Sequence, residues 1–184
     1  MRLLGAMLAV LLLAGPASAQ LVNENLLVTF PAGYKAGWQD KKPNLQMTEL
    51  VPNSEAVENW TEMVTIQTFF GMKAAPEQFR DRLAKLWISS CSGGAARDVA
   101  KGPQNGYATL TWFLSCPLNP STGKPEMTWV KGIQGNDSFY VVQKAFKFMP
   151  NNEQLAPWTE YLNKVQVCDT RLPDRPCPKL TPVR

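Results

Sequence analysis

The sequence predicts an α+β fold: an antiparallel sheet of about six strands flanked by two helices, one on each face, as an α/β/α sandwich. Three observations predict it. Runs with strand character come in two groups, and a stretch of helical periodicity follows each group. Connections within a group are too short for parallel crossovers, which leaves antiparallel pairing. Several runs are apolar on both faces, so the sheet needs a cover on both sides.

The middle of the sheet is assigned to residues 59–70. Thr, Val, Ile, Phe and Trp give this run β-propensity, and it holds neither Gly nor Pro. Its even positions place Trp60, Val64, Ile66 and Phe70 on one face. The odd face mixes Met63 and Phe69 with Thr61, Thr65 and Gln67. Trp60 is expected to be a core anchor.

Ahead of it, residues 26–30 read as a first strand, closed by Pro31 and the turn-prone Ala32-Gly33. Residues 34–43 read as a polar loop carrying Trp38, Lys41 and Lys42. Residues 45–51 form a second strand, ended by Pro52-Asn53-Ser54.

Gly71 breaks the strand pattern, and Pro76 opens a helix at a position where its missing N–H costs nothing. Phe79, Leu83, Leu86, Trp87 and Ser90 share one stripe. Glu77, Arg80, Asp81, Arg82 and Lys85 form a solvated face. Gly93-Gly94 ends the helix. Residues 98–100 suit a short strand, and residues 107–116 a longer one, with Ala108, Leu110, Trp112, Leu114 and Cys116 on one face.

After a loop at 117–125, residues 127–134 and 138–148 make a hairpin over Gly135-Asn136-Asp137. Parity puts Met127, Trp129, Lys131 and Ile133 on the face shared by Tyr140, Val142, Lys144, Phe146 and Phe148. Two lysines on that apolar face predict a partly open surface. Leu155, Trp158, Leu162 and Val165 then mark a second helix, with Pro157 expected in its first turn. Pro173, Pro176, Pro178 and Pro182 make the tail extended or irregular.

The N-terminus reads as a secretory signal peptide, residues 1–19. Arg2 precedes the apolar run 3–13, Gly15-Pro16 breaks it, and Ala17-Ser18-Ala19 supplies the small-residue cleavage pattern. The run is too short for a membrane span. Residues 20–168 are assigned to a single α+β domain and 169–184 to a Pro-rich tail. No transmembrane segment is expected in the mature chain, which is placed in the periplasm or outside the cell. A net charge of +4, with no Lys/Arg tract, argues against nucleic acid.

Histidine is absent from all 184 residues. That removes Ser-His-Asp and Cys-His centres and any His-ligated metal from this chain. No catalytic residue, metal ligand or cofactor is assigned.

Cys91, Cys116, Cys168 and Cys177 in an exported chain point to two disulfides. Of the three connectivities, joining neighbours along the chain gives Cys91–Cys116 and Cys168–Cys177. On loop entropy these contribute roughly 3.5 and 2.7 kcal/mol. The second folds the tail back on the preceding helix.

Asn105-Gly106-Tyr107 opening a long strand, the hairpin after it and the terminal helix together resemble the PsbP-like fold family. That family is an exported α/β/α sandwich named for an extrinsic photosystem II subunit and also found in bacterial periplasmic proteins. The resemblance implies the sandwich layout and the exported setting. It transfers no functional residue, and the cysteines and the Pro-rich tail lie outside the family's pattern.

Three groups of residues offer chemistry. Ser121-Thr122-Gly123-Lys124 has the Ser-x-x-Lys spacing of acyl enzymes, which need the Ser on a helix start. Glu49, Glu58 and Glu62 could pair as hydrolytic carboxylates across neighbouring strands. Trp129 and Tyr140 lie beside Lys131 and Lys144, a combination suited to a partner protein or a small anionic ligand. The resulting expectation is an exported, non-catalytic binding or accessory protein of the bacterial envelope. The rival is a periplasmic hydrolase using carboxylates or a Ser-Lys pair.

Overall fold

A computed structural model describes residues 21–179. The predicted leader, residues 1–19, lies outside the described residues, as do residues 180–184.

Among the described residues, nine strands and two helices form an α+β sandwich. Seven strands make one antiparallel sheet: β2 (Tyr34–Lys42), β3 (Leu45–Pro52), β4 (Glu62–Phe70), β5 (Ala95–Gln104), β6 (Tyr107–Asn119), β7 (Lys124–Gln134) and β8 (Ser138–Phe146). Their order is β2-β3-β4-β8-β7-β6-β5, two meanders joined where β8 pairs β4. A two-stranded sheet pairs β1 (Glu24–Leu27) with β9 (Gln166–Asp169), Leu26 opposite Val167. The expected antiparallel sheet of about six strands has seven, and the two short strands β1 and β9 pair beside it.

Helix α1 (Pro76–Ser90) covers one face of the main sheet. Phe79, Leu83, Ala84 and Trp87 pack there on Leu110, Trp112, Leu114, Val130, Phe139 and Val141. Helix α2 (Asn152–Lys164) covers the other, with Leu162, Trp158 and Tyr161 against Val64, Tyr107, Ile133, Tyr140 and Val142. Asn151 caps α2, its side chain accepting the Gln154 N–H at 2.9 Å while Gln154 Oε1 accepts the Asn151 N–H.

Both disulfides form as neighbours along the chain, Cys91–Cys116 and Cys168–Cys177. The first ties the end of α1 to β6. The second folds the tail back on β9.

Several expectations are corrected. Residues 34–43, expected as a loop, are mostly edge strand β2. Its two faces are largely solvated, so it shows no apolar alternation. A bulge between Ala36 and Trp38 lets Gly37 lie close to Val57 and Val51, where a Cβ would stand 2.5 Å from Val57. The other edge, β5, is ten residues long rather than three, bulged between Asp98 and Ala100, and carries Pro103 where an edge tolerates it.

The first strand ends at Leu27 and pairs with β9 outside the main sheet. Residues 59–70 do not run straight through: a 3-10 turn at Val57–Asn59 delays β4 to Glu62. Trp60 therefore sits outside the strand, half-buried, with Lys147 3.9 Å above its ring. Pro157 lies in the second turn of α2 rather than the first. The carbonyl it leaves without an N–H partner, that of Glu153, belongs to an exposed residue.

Candidate functional site

The four residues singled out on the hairpin do share a face, but α2 closes it. Register puts Trp129 opposite Lys144, Lys131 opposite Val142 and Ile133 opposite Tyr140. Lys131 is 3 % exposed and Lys144 is 0 % exposed, so the partly open surface is corrected to an interior seam.

Lys144 Nζ donates to Glu62 Oε2 at 2.6 Å and to Tyr34 Oη at 2.7 Å. The Tyr34 hydroxyl donates in turn to Glu62 Oε2 at 2.8 Å. Trp158 from α2 places its ring centre 3.7 Å from the ammonium, and Phe146 and Tyr34 lie at 4.5 and 4.9 Å. Burial lowers the Lys144 pKa to about 8, with Glu62 pulling the other way. Burial and Glu62 push the Tyr34 phenol far up, so it remains a donor.

Lys131 is riveted differently. Its Nζ donates to Gln104 Oε1 at 2.5 Å and to the Leu162 and Val165 carbonyls at 2.8 and 2.6 Å. These carbonyls are at the C-terminal end of α2, where a cation also meets the negative end of the helix dipole. All three ammonium protons are used. Burial lowers this pKa to about 8 as well.

Tyr140 donates to Glu24 Oε1 at 3.0 Å. The same carboxylate accepts the backbone N–H groups of Asn136, Asp137 and Ser138, at 2.5, 3.0 and 3.2 Å. A Cβ on Gly135 would fall 2.7 Å from the Ser138 carbonyl oxygen and would also displace the Glu24 carboxylate, so the turn favours glycine there. Trp129 is half-buried against Phe113, whose other neighbour is the Arg97 guanidinium. The quartet thus joins sheet, α2 and β1, and neither of its two lysines is left for a ligand.

The hydrolytic arrangements do not assemble. Glu49 lies opposite Thr65 in register, on the α1 side, whereas Glu62 follows the parity of Val64 and Ile66 on the α2 side. Glu58 is in the exposed 3-10 turn. Ser121 and Lys124 occupy the tight turn between β6 and β7, closed by the Gly123 N–H to the Asn119 carbonyl at 2.8 Å. No helix aligns them.

What the fold does build is a groove of about 460 Å³ on the α2 side, at the end of the sheet that α2 leaves uncovered. The segment from Glu24 to Phe30 forms one wall. Thr48, Ile66, Thr68 and Tyr140 are among the sheet residues lining it, with Gln39 and Gln46 near the edge. Phe30 (55 % exposed) and Phe70 (40 % exposed) leave apolar rings at its rim. Its one lining carboxylate, Glu24, is already bonded to three amides and a phenol. The remaining lining is apolar or neutral amide and hydroxyl.

Sequence parity had placed Ile66 and Phe70 on one face. Nothing local announced that residues 28–30 would run across them.

No family model and no curated protein matches the sequence. Among solved structures the chain is similar to a point mutant of the protein Mog1, at 10 % identity, 76 % of this chain, 85 % of that chain and a TM-score of 0.44. It is likewise similar to the Ran-binding protein Mog1p of Saccharomyces cerevisiae, at 10 % identity, 77 % of this chain, 85 % of that chain and a TM-score of 0.43.

Proposed function

We propose that this chain is an exported, non-catalytic binding or accessory protein of the bacterial envelope, with the PsbP-like layout, and that it engages a partner protein through the groove beneath Phe30. The observation that carries this reading is the groove's mixed lining: the apolar side chains of Leu26, Val28, Phe30, Ile66 and Phe70 interspersed with uncharged amides and hydroxyls and a single, fully engaged carboxylate. Such a surface suits an extended, uncharged segment that inserts an apolar side chain and offers its backbone to Gln39, Gln46 and Thr68. It supplies no general acid or base and no nucleophile. A partner protein is favoured over a small anion because the two buried lysines are spent inside the fold, Lys131 on carbonyls at the end of α2 and Lys144 on Glu62 and Tyr34. Two disulfides and the signal-peptide pattern support the exported setting.

The test is site-specific cross-linking in intact cells, with a photo-reactive phenylalanine analogue at Phe30 or Phe70. One discrete adduct is expected from both positions, reduced by Ile66→Arg. Adducts formed equally from Val99, or from none of these positions, would overturn the reading.

A further inference from the structure

A second surface lies on the opposite face and at the opposite end of the sheet. The C-terminal end of α1 and the end of β6 enclose an apolar slot of about 260 Å³, lined by Leu83, Leu86, Trp87, Cys91, Cys116 and Pro120. Leu86 is 59 % exposed, and Leu118, beside the slot on β6, is 61 % exposed. The Cys91–Cys116 bridge holds the two walls together.

The charges around this corner are mostly positive. Arg82 stands one helical turn before Leu86, Lys85 immediately before it, and Lys124 opposite Asn119 across the β6–β7 turn. All three are exposed, and none forms an ion pair among the described residues. The other charges of α1 are neutralised: Arg80 by Asp81 and Asp98, and Glu77 by Lys101. The carboxylate at this corner, Glu126, is held by the Asn119 amide at 2.6 Å.

We propose that this corner docks the protein on an anionic phospholipid bilayer, Leu86 and Leu118 entering the interface while Arg82, Lys85 and Lys124 meet headgroup phosphates. Exposed apolar side chains ringed by free cations are complementary to a surface that is apolar beneath and negative above. A second copy of the chain fits poorly. A two-fold contact here would set the same three cations against themselves. Because the partner groove is on the other face, both surfaces can be occupied together.

Co-sedimentation of the oxidised chain from Gln20 onward with vesicles tests the proposal. The protein is expected to pellet with phosphatidylglycerol vesicles, not with phosphatidylcholine vesicles, and to be released by added salt. Arg82→Glu with Lys85→Glu should lower partitioning at least about tenfold, from the loss and reversal of two membrane-attracted charges. Leu118→Glu should lower it similarly, while Val99→Glu, at another exposed apolar site on β5, leaves it unchanged. Equal pelleting with both lipids, retention by the variants, or a Leu118→Glu effect confined to self-association would overturn it.

Discussion

Lys144 Nζ and Glu62 Oε2 lie 2.6 Å apart, and the ammonium is wholly buried while the carboxylate side chain is 28 % exposed. One pair thereby joins β8 to β4 beneath α2. The asymmetry sets the outcome of substitution. Glu62→Ala leaves a buried cation without its counter-charge and should cost about 3 kcal/mol or more. Lys144→Met with Glu62→Gln, which removes both charges, should fall much closer to the parent. Denaturant unfolding of Glu62→Ala and of the double variant measures the difference.

Stability against pH follows from the same burial. Lys131 and Lys144 have pKa values lowered from 10.5 to about 8, so the unfolded chain binds more protons between those values. Each lysine penalises the fold fully below about pH 8, and the penalty is relieved as pH rises. Tyr34, Tyr140 and Tyr161 are shifted upward by burial, so above about 10 the unfolded chain loses phenolic protons that the fold retains. Unfolding free energy should therefore climb from pH 8 to a maximum near 10 and then fall. Lys131→Met should flatten the climb.

Glu24 fastens β1 to the β7–β8 turn through three amides and the Tyr140 hydroxyl. Glu24→Ala should cost about 2 kcal/mol, the scale of hydrogen bonds to a charged group. It should also speed hydrogen exchange at Asn136, Asp137 and Ser138 far more than at Val141 in β8. Uniform acceleration across the hairpin would show a general loosening instead.

Two tryptophans separate core from surface. Trp112 is completely buried between α1 and the sheet, and Trp112→Ala should cost about 3–5 kcal/mol. Trp60, off the end of β4 and stacked on Lys147, should lose much less when replaced by Ala. Equal losses would place Trp60 in the core after all.

The central strands were legible because both of their faces are buried. Ser138 to Phe146 is buried on both faces, and Tyr107 to Cys116 alternates a buried apolar set (Leu110, Trp112, Leu114, Cys116) with half-buried Thr109, Thr111 and Phe113. Pro76 with its 3.6-residue stripe marks α1 plainly. Edge strands β2 and β5 were not, because a solvated edge leaves residues such as Lys41, Lys42 and Arg97 where alternation would show. The β1–β9 pairing joins Leu26 to Val167, a contact no local window contains. Lys131 and Lys144 looked like a ligand surface since lysine usually marks solvent. Their place within an otherwise apolar face was the signal that they are interior. The groove depends on where the chain carries Phe30 after β1 ends, and only the tertiary structure sets that.

The account depends on those two lysines being buried and bonded beneath α2, which leaves the Phe30 groove, and not the hairpin face, to meet a partner. Brief acetylation of the native protein followed by peptide mass mapping tests this directly. Lys131 and Lys144 should remain unmodified while Lys85 and Lys124 react, and all four should react once the protein is unfolded. Labelling of Lys131 and Lys144 in the native protein at the rate of Lys85 and Lys124 would contradict it.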